Sequence, residues 1–125
     1  MRVYYAMTAN LDGNVGRIVS ALEKLKIDEN TIVVFTADHG EMFGAHGRMK
    51  KNIFYEEAAR VPFLVRWPKK IAPGTVSDAC FNAVDIMPTL LGMAGLPIPE
   101  AVEGMDLSRA ALGGSLLVTL AEIAR

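Results

Sequence analysis

An α/β fold is predicted for this chain of 125 residues, and three features predict it. Apolar residues at helical spacing run from Tyr4 to Leu25. A β-branched and aromatic run, Ile32-Val33-Val34-Phe35, follows after a short polar turn. A second apolar run extends from Val61 to Trp67. Helix then strand, joined by a short link, is half of a βαβ unit.

The first element is a helix because Tyr4, Met7, Leu11, Val15, Ile18, Leu22 and Leu25 recur at steps of three and four. Such steps draw one stripe, and Asp12, Asn14, Arg17, Glu23 and Lys24 fall off it. Gly13 and Gly16 each weaken a helix by about 1 kcal/mol relative to alanine, which suggests close packing against another element. Asp28-Glu29-Asn30 is the turn, and Thr31 to Phe35 the first strand, expected to be buried. Residues 37 to 60 read as loop, broken by Gly40, Gly44 and Gly47, with a short helix from Ile53 to Ala59. Val61 to Trp67 reads as a second buried strand, with Pro62 at its start, where a missing N–H is tolerated. Val76 to Ala83 could hold a short third strand. Asp85 can cap a helix running to about Ala94, with Pro88 in its first turn and Gly95 as its stop. Leu116, Leu117, Leu120 and Ile123 are spaced like a final helix.

Composition narrows the function classes. The chain is 51% hydrophobic and 22% charged with a net charge of -1, so it carries no general attraction for nucleic acid or an anionic membrane. No apolar run reaches the ~18 residues of a membrane-spanning helix. No secretory signal is read at the start, and the compartment stays open. One cysteine, Cys80, excludes an internal disulfide. Its neighbours Ala79 and Phe81 suggest a buried structural thiol rather than a nucleophile. A chain this long buries roughly two-thirds of its unfolded surface and forms one domain at most.

The chemistry concentrates where the first strand ends, at Thr36-Ala37-Asp38-His39-Gly40-Glu41. Open α/β sheets place ligands at the carboxyl ends of strands. A carboxylate oxygen beside an imidazole nitrogen suits a divalent cation, calcium, manganese or zinc. Two ligands are too few to complete a calcium site. Gly40 would let the backbone turn sharply behind the pair. The cations of Arg48-Met49-Lys50-Lys51 follow; a lysine near a metal would neutralise an anionic ester and polarise its leaving group. On composition alone the solvated surface run is the favoured reading. His46 could serve as a general acid, as a donor behind the reacting groups, or as a structural residue. Tyr55, Glu56, Glu57 and Arg60 read as an ion-pair cluster that packs the loop.

Taken in order, these segments resemble the sulfatase family of the alkaline-phosphatase-like superfamily. The matching stretches are Tyr4-Tyr5-Ala6, Asp12-Gly13-Asn14-Val15-Gly16-Arg17, Thr31 through Glu41 and Gly44-Ala45-His46-Gly47. After them come Lys51 leading to Tyr55-Glu56, Arg60-Val61-Pro62-Phe63, and Asp85-Ile86-Met87-Pro88-Thr89-Leu90-Leu91. The similarity runs from about residue 3 to residue 108. It implies a partial alkaline-phosphatase-like α/β sandwich, a mostly parallel sheet flanked by helices. Residues 1–108 would then be a portion of the catalytic domain, and 109–125 a C-terminal tail.

The resemblance also implies roles. Asp38 matches the metal-ligand aspartate at the end of a central strand, and His39 the neighbouring position that also faces the metal, usually calcium. Lys51, thirteen positions after Asp38, matches the lysine that contacts the sulfate ester; Lys50 competes for this role, and the spacing to Tyr55-Glu56 favours Lys51. His46 takes the family's glycine-flanked histidine position and is carried as a catalytic candidate. The formylglycine nucleophile arises from a Cys/Ser-x-Pro/Ala-x-Arg motif, which Cys80-Phe81-Asn82-Ala83-Val84 does not match. The chain therefore reads as an internal or C-terminal part of a hydrolase of sulfate esters, small-molecule or glycan. As an isolated chain it is expected to be inactive and prone to self-association. Two alternatives stay open: a phosphodiester or phosphonate monoester hydrolase of the same superfamily, and a non-catalytic α/β oligomeric remnant.

Overall fold

The computed structural model describes residues 2–114. Along the chain lie α1 (Arg2–Lys24), β1 (Val33–Thr36), α2 (Glu56–Ala59), β2 (Phe63–Arg66), α3 (Ile86–Ala94) and α4 (Ser108–Ala111). The stripe from Tyr4 does form a helix, and Asp28–Asn30 is a single tight turn after it. The helix expected from Ile53 starts only at Glu56. The predicted stretch after Ser115 lies outside the described residues.

β1 and β2 pair antiparallel, with Val33 opposite Arg66, Val34 opposite Val65, Phe35 opposite Leu64 and Thr36 opposite Phe63. The two strands that the described residues form therefore do not show the mostly parallel sheet that the resemblance implied. A parallel pair needs a crossover long enough to carry the chain back, usually a helix. Here the connection is long but forms no crossover helix, only the tight turn Ala45–Gly47 and the four-residue α2, and the chain doubles back where the Gly40 N–H donates to the Ala58 carbonyl at 2.8 Å. The strands are also less buried than their composition predicts: Phe35 is 38% and Leu64 61% exposed. No third strand forms between Val76 and Ala83. That segment is extended but finds no ladder partner, and Ala83–Asp85 is already a tight turn.

α1 is tethered at its two ends. Arg66 Nη2 donates to Glu23 Oε1 at 3.2 Å and lies 3.5 Å from Asp28 Oδ2, which ties its C-terminal end to β2. Near the N-terminus, the rings of Tyr4 and Phe43 sit 4.3 Å apart. Between these points the helix is bare: no residue of α1 is buried, and Met7, Leu11 and Ile18 are each more than half exposed. A Cβ at Gly13 or Gly16 would meet nothing within 4 Å, so the neighbour those glycines suggested is not among the described residues.

The tightest packing is at the C-terminal side. Asp85 begins α3, yet its carboxylate does not cap that helix; it accepts from the backbone N–H of Asn82 and from that of Met105, both at 2.8 Å. Thr89 Oγ1 accepts from the Leu107 N–H at 3.0 Å. Both side chains are buried, with Pro88, Met93, Leu107 and Ala110 around them. A buried carboxylate survives only when its oxygens are hydrogen-bonded, and here both are. Gly104 is required by space, because a Cβ there would lie 2.0 Å from the Val84 carbonyl oxygen. Gly95, with φ of 70°, stops α3 as expected. Cys80 is exposed, against the buried thiol expected from its neighbours. Its neighbour Phe81 takes the inward place instead, its ring tilted against that of Phe63 with centroids 4.0 Å apart.

Candidate active site

Immediately after β1, Asp38 and His39 stand on backbone held from behind. Gly40 is needed there for close approach, because a Cβ would lie 1.9 Å from the Glu57 carbonyl oxygen. The sharp turn expected of this glycine is not its role, since its φ is not positive. His39 Nδ1 is 2.7 Å from the Gly40 carbonyl oxygen. A carbonyl only accepts, so Nδ1 carries the proton and Nε2 presents its lone pair. Asp38 Oδ1 accepts from the His39 N–H at 3.1 Å, and its Oδ2 lies 3.3 Å from Nε2.

The second arm of the site arrives through a closed loop. Glu41 Oε1 accepts the Lys50 N–H at 2.5 Å and the Phe43 N–H at 3.4 Å. The Met42 N–H donates to the Lys50 carbonyl at 3.0 Å, and the Met42 side chain is buried beneath the loop, 1% exposed. These bonds fasten residues 41 and 50 together at the loop's base and deliver Lys51, whose Nζ contacts His39 Nε2. Asp38, His39 and Lys51 thus come together as the sequence expected. Lys50 does not share that contact.

His46 is not brought to this cluster by any contact of the described residues. Its ring stacks on Tyr55 with centroids 4.3 Å apart and planes 18° apart, and its Nε2 lies 3.4 Å from Glu57 Oε1. Those partners fix the loop against α2. Glu56 pairs instead with Arg60, at 3.3 Å between two side chains that are 80% exposed. An exposed pair of that kind contributes little, so the packing comes from the ring stack more than from the cluster of charges. Sequence reasoning missed Glu41 and Met42, which position the lysines. Their role is to hold backbone, and nothing in residue spacing signals it.

Adjacent ligands at right angles around calcium, each about 2.3 Å from it, lie about 3.3 Å apart. The Asp38 Oδ2 to His39 Nε2 separation of 3.3 Å matches, and with Nδ1 protonated the ring's ligating lone pair is on Nε2, where Lys51 Nζ now sits. The pair fits as part of a larger donor set. Among the described residues no group of three or more His, Cys, Asp or Glu side chains gathers around a common point. The face is open as well: the Asp38 side chain is 85% exposed.

The family profile of the sulfatases matches residues 1–96. The N-acetylglucosamine-6-O-sulfatase of Bacteroides thetaiotaomicron is 41% identical over 107 residues, covering 86% of this chain and 19% of that enzyme. A solved structure from Bacteroides fragilis assigned to the sulfatases, yidJ, superposes with a TM-score of 0.87 at 45% identity, over 92% of this chain and 25% of that one. The phosphonate monoester hydrolase of Agrobacterium radiobacter superposes at 0.80 with 33% identity, over 91% and 23%. The chain belongs to the sulfatase family, and it spans about a fifth to a quarter of the length of the proteins it matches.

Proposed function

We propose that these residues form one side of the active site of a metal-dependent sulfuric ester hydrolase acting on sulfated saccharides. The observation that carries the reading is the cluster itself: a carboxylate oxygen and an imidazole lone pair 3.3 Å apart, with the Lys51 ammonium against the same imidazole. Asp38 and His39 would hold a divalent cation, calcium by preference, together with donors from outside these residues. Bound there, the cation would supply positive charge for ester oxygens. Lys51 offers an N–H donor and a charge to an oxygen of the sulfate group, where such preorganised donors are most effective. The sulfated sugar named for the Bacteroides thetaiotaomicron relative supports a saccharide substrate.

The nucleophile of such an enzyme, a formylglycine, would have to come from a segment other than the one around Cys80. The isolated chain is therefore expected to bind and not to turn over. Robust hydrolysis of an aryl sulfate by the purified chain would contradict this. Calcium titration by calorimetry tests the reading directly: binding in the wild type that is lost in Asp38→Ala supports it, and no binding in either favours a non-catalytic remnant.

A phosphonate monoester is the second reading, supported by the Agrobacterium radiobacter neighbour. A preference of the calcium-loaded chain for a phosphonate monoester such as phenyl phenylphosphonate over phenyl sulfate would favour it. We also propose that the isolated chain self-associates through the bare face of α1, because long uncovered apolar faces seek a partner.

A further inference from the structure

The loop between Glu41 and Lys51 holds more than one lysine in place. Of the four non-glycine residues with positive φ among the described residues, three lie in it: Phe43 at 48°, His46 at 53° and Lys50 at 68°. L-residues seldom adopt this region, and they persist there only where the surroundings over-determine them. Lys50 is fixed on both sides, by Glu41 through its N–H and by Met42 through its carbonyl. Two consecutive lysines are thereby put to different surroundings. Lys51 meets His39, whereas Lys50 lines a separate depression of about 330 Å³ with Arg48, Met49 and Asn52.

The charge in this depression is uncompensated. Neither Arg48 nor Lys50 takes part in an ion pair among the described residues. The one acid of the loop, Glu41, directs its Oε1 to backbone N–H groups. The chain as a whole carries a net charge of -1, so this is a local concentration of positive charge and not a general polyanion surface. Such a concentration beside an anion-binding residue draws and orients a second negative group.

We propose that Arg48 and Lys50 form a second anion subsite beside the Asp38–His39–Lys51 cluster, which selects a saccharide carrying a further sulfate or carboxylate next to the ester that Lys51 receives. Asn52 provides amide donors and an acceptor for sugar hydroxyls in the same depression. The proposal rests on the sulfate-ester reading given above.

The test is calorimetric binding of calcium-loaded chain to three probes: a monosulfated glucosamine, its disulfated counterpart, and a monosulfated disaccharide with a uronic acid. The readout is the ratio of affinities against the monosulfated sugar. The wild type is expected to bind the disulfated sugar roughly five- to tenfold more tightly, since a charge pair near a surface contributes on the order of that factor. In the double variant Arg48→Gln, Lys50→Asn the ratio is expected to fall to about one. Asparagine is chosen because it tolerates positive φ, so the loop keeps its shape, which an unchanged amide spectrum of residues 41–51 verifies. Lys51→Met lowers affinity for all probes and leaves the ratio. A preference for the uronic acid probe alone assigns the subsite to carboxylate; a preference for the disulfated sugar alone assigns it to sulfate. Equal wild-type affinities, a ratio that survives the double variant, or equally tight binding of a charge-matched polyphosphate overturns the proposal. If even the monosulfated sugar fails to bind, the sulfate-ester reading falls with it, and that outcome is distinct from equal binding.

Discussion

The carboxylate of Glu41 holds the backbone N–H of Lys50 at 2.5 Å, and with the Met42 N–H on the Lys50 carbonyl it closes the loop that carries Lys51 to His39. A charged acceptor on a backbone N–H contributes about 1.5–3 kcal/mol. Replacing Glu41 by alanine is therefore expected to open the loop without unfolding the chain. Amide exchange at Lys50 should quicken at least tenfold, and sulfate affinity should fall with it. Unchanged exchange at Lys50 would show that the loop is held by something else.

Lys51 and a metal compete for the same lone pair. Since the ammonium already contacts His39 Nε2, Lys51→Met removes a like charge from the cation's surroundings. Two unit charges 4 Å apart in water interact by about 1 kcal/mol, so calcium should bind roughly fivefold more tightly to this variant. Sulfate binding should weaken in the same protein. The opposite signs, read in two titrations, separate this competition from general damage to the site.

Gly40 and Gly13 should respond to alanine in opposite ways. At Gly40 the new methyl would fall 1.9 Å from the Glu57 carbonyl oxygen, and backbone cannot yield cheaply. A loss of about 2 kcal/mol or more is expected. At Gly13 nothing lies within 4 Å, and a helical glycine replaced by alanine gains about 0.5–1 kcal/mol. Thermal melts of the two variants, followed by circular dichroism, should shift to either side of the wild type.

Thr89 offers a sharper test of buried polarity. Thr89→Val keeps the shape and leaves the Leu107 N–H without its acceptor. An orphaned buried donor costs about 1–3 kcal/mol. Thr89→Ser should recover most of the loss in chemical denaturation, because the hydroxyl is restored.

Sedimentation should find the isolated chain associated at micromolar concentration. Leu11 is 52% and Ile18 59% exposed on the same stripe of α1. Lysine at both positions should return the chain to a monomer. A wild type that sediments as a monomer would remove the second copy as the occupant of this face.

Much of this was legible in the sequence because it depends on local periodicity. The stripe from Tyr4 to Leu25 announced α1, and the β-branched run before Asp38 announced β1. What escaped depends on partners distant in sequence. The direction of the β1–β2 pair follows from how the chain returns between residues 37 and 62, which no alternation pattern records. Val76 to Ala83 has strand-like residues and lacks a ladder to join. Cys80 sits among apolar neighbours and faces out, while Phe81 takes the inward place. Asp85 was recognised at the start of α3, but its reach to Met105, twenty residues on, was not, since a carboxylate accepting a distant N–H leaves no spacing to read. Glu41 escaped for the same reason.

The Asp85–Met105 and Thr89–Leu107 bonds join residues 20 and 18 positions apart, and they enclose their own polar groups. Short chain closures are entropically cheap and form early. The segment from Asn82 to Ala111 is therefore the cooperative unit expected to retain its amide protons longest, outlasting the open strands.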